Sequence, residues 1–311
     1  MYNAEFKQRF MGTLKPSYAN DFRLLFGRTA PFEDSKSKDI FEFSAEEVGL
    51  CFESNGMIEP QSLRTQLGML ATYGDWCNRE IPNSSDHHFR DYHVEDFPYG
   101  KYFAPLVTKS PEELCSKMLM VYEIDSAQPA MAALCFAWLG IDCGDALKLR
   151  HEQVDTKHGK IFSPTGEVLV ASMPECIRDL LEVYEKTNVA ERTQNRTFTV
   201  VADDIGFFIK RMVSANSNKV GKPIVKNQMT TLIGKLQSLY NGTTGNDQTL
   251  SYTNVQRSGG FYRLHQMELS GVDVRSVKNA DKVRMCIGKS KRNHKDNMLM
   301  YDAYLEVIGE K

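Results

Sequence analysis

The sequence predicts a mainly α protein of two domains with a small β-sheet in the second. Three observations carry that prediction. The chain has 311 residues, enough for about two domains that each bury a core. Apolar residues recur at three- and four-residue spacing through most of it. The clearest strand-like stretches, Gly159–Phe162 and Glu167–Val170, are short and flank Pro164-Thr165-Gly166, the pattern of a hairpin.

The first helix with a clear stripe runs through Tyr18, Phe22, Leu25 and Phe26, at i, i+4, i+7 and i+8. Asp39–Phe43 is a short connector. Ser44-Ala-Glu-Glu47 has the form of a capping box and opens a helix through Val48, Cys51 and Phe52. After Asn55-Gly56, Pro60 begins a third helix with Leu63, Leu67, Leu70, Tyr73 and Trp76 on its core face. These elements form a helical domain over residues 1–82. Residues 83–109 lose periodicity and are predicted to be a polar linker. Ser110-Pro111 is an N-cap followed by proline at the first helical position, and it starts a domain over 110–311. There Met131–Leu139 is apolar nearly all round and predicts a central buried helix. Further helices are expected at 174–187, 203–214, 226–240, 254–269, 273–285 and 295–308.

Composition narrows the function. Apolar residues are 41% and charged residues 25%, the balance of a globular chain rather than a disordered one. The longest apolar run, Met131–Ile141, is far short of the ~20 residues a membrane helix needs. No secretory signal stands at the N-terminus. The 7 cysteines are scattered without a C-x-x-C pair. That pattern fits a reducing cytoplasm better than a disulfide framework or a zinc finger. His87, His88 and His93 stand among Asp86, Asp91, Glu95 and Asp96, but their spacing matches no metal-ligand pattern. With no Walker loop, G-x-G-x-x-G or G-x-S-x-G present, neither metal nor other cofactor is expected.

The net charge of −2 conceals a strong polarity. Residues 1–100 hold ten Lys/Arg against sixteen Asp/Glu. Residues 205–246 hold six cations and no acid, and residues 278–295 hold seven cations against Asp281 alone. Two basic stretches in one half of an otherwise acidic chain point to a polyanion-binding surface.

Three local patterns then bear on family. The segment Leu139-Gly-Ile-Asp-Cys-Gly-Asp-Ala-Leu-Lys-Leu149 is followed by Val154-Asp155. Ser270-Gly-Val-Asp-Val-Arg-Ser-Val277 forms a helix junction, and Ile287-Gly288-Lys289 precedes Tyr301. In this order they resemble the tyrosine recombinases, or phage integrases. The resemblance implies an N-terminal helical DNA-clamp domain and a larger integrase-like catalytic domain. In that family a tyrosine attacks a phosphodiester, and arginines present paired donors to the phosphate.

Carried over residue by residue, the catalytic set is depleted. Asp142 occupies the first arginine position, where a carboxylate repels phosphate. Loss of one preorganised donor costs ~10²–10³ in rate, and charge reversal should cost more. Arg150 is no obvious substitute, since eight helical residues displace it by roughly 12 Å. Asn254-Val-Gln-Arg257 matches H-x-x-R with the histidine lost, Lys289 replaces a later histidine, and Lys160 matches the catalytic lysine. Tyr301 lies near the nucleophile's place, three residues late. No catalytic residue is therefore expected, and Asp142, Lys160, Asn254, Arg257, Lys289 and Tyr301 are vestigial candidates.

Such a chain can hold DNA without cutting it. Lys226–Lys235 is the best reading helix. Asn227 and Gln228 can bond adenine bidentately, Thr230 and Thr231 can meet a thymine methyl, and Leu232, Leu236 and Leu239 would face the core. Lys160, Lys226, Lys235, Arg257, Lys289, Lys291 and Arg292 would bind phosphate, with Arg64 closing the clamp from the other domain. The pattern resembles the lysogeny repressors of SPβ-type temperate Bacillus phages. It implies a cytoplasmic, nucleoid-associated repressor acting on double-stranded phage operators, with a regulatory protein or peptide as a further candidate partner. The alternatives are an active recombinase using Tyr301 and an accessory factor using the fold for protein contacts.

Overall fold

The structure, a computed structural model, describes all residues except 57–58, 82–88, 90–91, 122–127, 188, 194–196, 214–218, 246–248, 288–292 and 311. For Asp96, 189–193 and 197–199 it describes the backbone alone. Among the described residues no helix is long and apolar enough to cross a membrane. The chain divides into two units, Met1–Tyr102 with Lys295–Ala303, and Phe103–His294 with Tyr304–Lys311. The fold class is the expected one, mainly α with small sheets.

The first unit contains α1 (Ala4–Gly12), α2 (Pro16–Lys36), α3 (Ala45–Ser54) and α4 (Pro60–Glu80). Each helix starts where local chemistry supplies a start. Pro16 and Pro60 open α2 and α4 with φ already helical. Ser44 Oγ accepts from the Glu47 amide while Glu47 Oε2 accepts from the Ser44 amide. Leu63, Leu67, Leu70, Tyr73 and Trp76 are all buried, as the spacing predicts. Phe10 meets Phe22 at 4.8 Å and Tyr73 at 5.0 Å, centroid to centroid. Asp39–Phe43, read as a connector, is a single helical turn with its own capping box. The stretch 83–109 carries the short helix α5 (Tyr99–Phe103) as well as irregular backbone, and it is divided between the two units.

The second unit is built around α7 (Gln128–Trp138), every residue of which is buried. Around it lie α6 (Pro111–Leu119), α8 (Cys143–Ala146), α9 (Glu175–Lys186), α10 (Lys226–Thr244), α11 (Tyr252–Leu269) and α12 (Ala280–Ile287). The predicted hairpin is present. Strands β1 (Val154–Asp155), β2 (Lys160–Phe162) and β3 (Val168–Val170) form an antiparallel sheet in that order.

A second antiparallel sheet was not anticipated. It consists of β4 (Val189–Thr193), β5 (Thr197–Asp203) and β6 (Arg211–Val213). It replaces the helix expected at 203–214. The β-branched and aromatic residues of Thr197–Val201 favour extended backbone, and Gly206 turns the chain at φ 85°. The helix expected at 273–285 begins later, as a turn at Val277–Asn279 and then α12. The last helix, α13 (His294–Ile308), contributes Lys295–Ala303 to the first unit.

Candidate nucleic-acid interface

The centre of interest is the loop leading into α8. Asp142 stands at the N-cap of that short helix but caps no amide with its side chain. Instead its Oδ1 accepts from Gln256 Nε2 at 3.0 Å. The same amide nitrogen lies 3.3 Å from the carbonyl oxygens of Gly140 and Ile141. One turn earlier on α11, Tyr252 donates its hydroxyl to the Ile141 carbonyl at 2.8 Å. Tyr252 and Gln256 thus share one face of α11 and hold the Gly140–Asp142 loop together. Burial raises the Cys143 thiol above its usual range, with Asp142 adding to the rise and Lys226 opposing it. Lys226, at the first position of α10, therefore lies within electrostatic reach of α8.

Gln256, rather than Arg257, is the residue brought against Asp142. One residue along a helix is a rotation of about 100°, and Arg257 instead places its guanidinium 5.8 Å from the centroid of Phe103. Sequence comparison missed both Gln256 and Tyr252. Their i, i+4 spacing just after the Ser251 N-cap was the available signal. Asn254 donates to the Thr249 carbonyl at 3.3 Å, which ties it to the preceding loop. Lys160 is exposed on β2, paired across the strand with Asp155. Arg150 lies over the ring of Phe207 at 5.0 Å.

On α10 the outward face is polar and open. Lys226, Asn227, Thr230, Thr231 and Lys235 are exposed. Both threonine hydroxyls donate back along the helix, Thr230 to the Lys226 carbonyl and Thr231 to that of Asn227, each at 3.1 Å. The inward face is Met229, Ile233, Leu236 and Tyr240, with Leu232 and Leu239 half-buried. The core stripe is thus rotated by about one residue from the expected Leu232, Leu236 and Leu239. Gln228 has an internal part, its Oε1 accepting from Arg211 Nη2 at 2.7 Å and from the Val225 amide at 3.3 Å. Two cations of the basic stretch 205–246 also serve the fold. Lys210 is buried and donates to the Glu185 carbonyl, and Arg211 donates to the carbonyls of Lys222 and Pro223.

Arg64, expected on the clamp face, makes a two-pronged pair with the buried Asp296, at 3.0 and 2.8 Å. That hydrogen bond raises the guanidinium pKa. Tyr301 is 0% exposed within the same unit. Lys289, Lys291 and Arg292, together with His87 and His88, lie outside the described residues. Arg64→Met is expected to lower the stability of the first unit by ~2 kcal/mol, because the buried Asp296 carboxylate loses the two guanidinium donors. Urea denaturation of the full chain checks this.

Comparison with known proteins gives three findings. Residues 1–79 match the family model described as MrpR, N-terminal core-binding domain. Over 284 residues the chain is 22% identical to the SPbeta prophage-derived uncharacterized protein YopR of Bacillus subtilis (strain 168), a similarity covering 86% of this chain and 82% of that one. Among solved structures, the Tn1549 transposon integrase in complex with circular intermediate DNA aligns over 95% of this chain and 94% of its own. The alignment has 12% identity and a TM-score of 0.40. The first agrees with a separate N-terminal domain over about residues 1–82, and the second with the SPβ-type resemblance read from the sequence.

Proposed function

We propose that this protein is a sequence-specific, double-stranded-DNA-binding repressor of a temperate phage, which holds its operators without strand transfer. The observation that carries this reading is Asp142. Where a recombinase would present a guanidinium to the scissile phosphate, this chain presents an exposed carboxylate whose hydrogen-bond partner is the neutral Gln256 amide. A phosphate brought there meets the repulsion of a carboxylate in place of the paired donors that would stabilise the charge growing in the transition state. The complete burial of Tyr301 supports the same reading. The similarity to a prophage-derived protein over most of the chain supports a phage setting.

In this reading Lys226 and Lys235 bind phosphates, while Asn227, Thr230 and Thr231 face base edges in the major groove. Lys160, Arg257, Lys289, Lys291 and Arg292 extend the phosphate contacts. Arg64 and Gln228 take structural parts and are left out of that set. Regulation of the repressor by a protein or peptide partner belongs to the same proposal.

The test is retention of sheared phage DNA by the purified protein, eluted first with salt and then with hot SDS, and sequenced. Discrete phage fragments released entirely by salt are the expected result. Lys226→Ala with Lys235→Ala should reduce the log–log salt slope by ~2, at about 0.9 per phosphate contact. Fragments that resist SDS would reveal a covalent phosphotyrosine and overturn the reading.

A further inference from the structure

The second unit carries a cleft of about 1030 Å³ between the Leu139–Asp142 loop, the β2–β3 hairpin, α11 and α12. Its walls are largely apolar, from Leu139, Ile141, Val170 and Met267. At its mouth Leu169 and Met285 are exposed, Met285 to 83%. Lys148, Lys282 and Arg284 line it against two carboxylates, Asp142 and Asp145, and Arg284 lies 3.8 Å from a third, Asp281. A fourth cation, Arg263, also faces the cleft and donates to the carbonyls of Trp138 and Cys286. Among the described residues no carboxylate pairs with it.

An apolar cavity with surplus positive charge is not matched by duplex DNA, whose phosphates would satisfy the cations and leave the apolar walls wet. Its complement is an apolar side chain flanked by carboxylates. The acidic first hundred residues of this chain supply one. On α3, Glu46, Leu50 and Glu53 stand at i, i+4 and i+7 and so form one stripe. Glu46 and Leu50 are exposed, while Glu53 lies 3.7 Å from Lys101.

We propose that the cleft receives α3 of a second copy of the chain, with Leu50 seated against Leu169 and Met285 and Glu46 facing Lys282 and Arg284. The contact is head-to-tail, joining different surfaces of the two copies. It needs no DNA, so its failure and the failure of the repressor reading are separable.

The test is sedimentation equilibrium of the full chain without DNA, from low to several hundred micromolar. The weight-average mass should rise above the 35.4 kDa of one chain. Leu50→Asp and Met285→Asp should each weaken association at least tenfold (order of magnitude for removing a central apolar anchor), with unchanged circular dichroism and melting. Glu46→Lys and Lys282→Glu should each weaken it, and their combination should restore it. A mass equal to one chain at every concentration would overturn the proposal. So would association that ignores Leu50→Asp and Met285→Asp, or a charge-reversed pair that fails to restore it.

Discussion

Lys7→Met is expected to destabilise the first unit by ~3–5 kcal/mol at neutral pH, the cost of breaking a buried ion network from one side. Lys7, Glu33 and Asp39 are all but inaccessible to solvent. The ammonium pairs with Glu33 and lies 3.6 Å from Asp39 and 4.7 Å from the centroid of Phe26. Both carboxylates are fastened elsewhere too. Glu33 accepts from the Ile40 amide at 2.7 Å and from Thr29 Oγ1 at 2.9 Å. Asp39 accepts from Tyr73 and Asn3, each at 3.2 Å. Without Lys7, two carboxylates remain in a site that has lost its cation.

The loss should shrink on acidification. Burial is the leading influence on both acids and pushes their pKa values up, while Lys7 pulls them down. A carboxyl whose folded pKa is raised contributes stability fully present below its unfolded pKa and lost as pH rises through the folded value. Removing Lys7 raises both values further, so the variant gains from protonation at a pH where the parent does not. Trp76 lies in the first unit and Trp138 in the second. Urea melts followed by Trp76 fluorescence in a Trp138→Phe background, at pH 7 and pH 5, read the effect. An equal loss at both pH values would show that the variant carries no unneutralised buried charge.

The elements legible in the sequence are those whose signals are local. The Ser44 box, the prolines at 60 and 111, and the stripe on α4 each specify a helix through residues within two turns of one another. The second sheet was illegible because β5 is defined by its partners β4 and β6. Residues 203–214 keep enough apolar spacing to imitate a helix, and only the strand pairing decides between the two. The candidate site shows the same division. Asp142 could be picked out directly, since the charge of one side chain is a statement about one residue. The residue that meets it could not, because choosing Gln256 over Arg257 depends on the rotation of α11, which distant packing fixes. Arg64 shows the limit most plainly. Its partner Asp296 lies 232 residues away, so nothing near it in the chain marks the guanidinium as already paired.

That rotation of α11 rests on two glycines, and the second large effect is expected there. Gly259→Ala should cost the second unit more than ~3 kcal/mol, beyond the usual range for overpacking. A Cβ at 259 would lie 2.1 Å from the Trp138 carbonyl oxygen and 2.8 Å from its carbon. These are backbone atoms at the end of the fully buried α7, and the same oxygen accepts from Arg263. Withdrawal of α11 is opposed from the other side, where a Cβ on Gly260 would meet the Ile287 Cα at 2.8 Å. The same substitution on α10 should have the opposite sign. Nothing lies within 4 Å of a Cβ at Gly234, so Gly234→Ala should stabilise by ~0.5–1 kcal/mol through helix propensity alone. Melts followed by Trp138 fluorescence in a Trp76→Phe background compare the two. A Gly259→Ala loss no larger than ~1 kcal/mol would mean that α11 can slide on α7, and the placement of Gln256 against Asp142 would then not be fixed by packing.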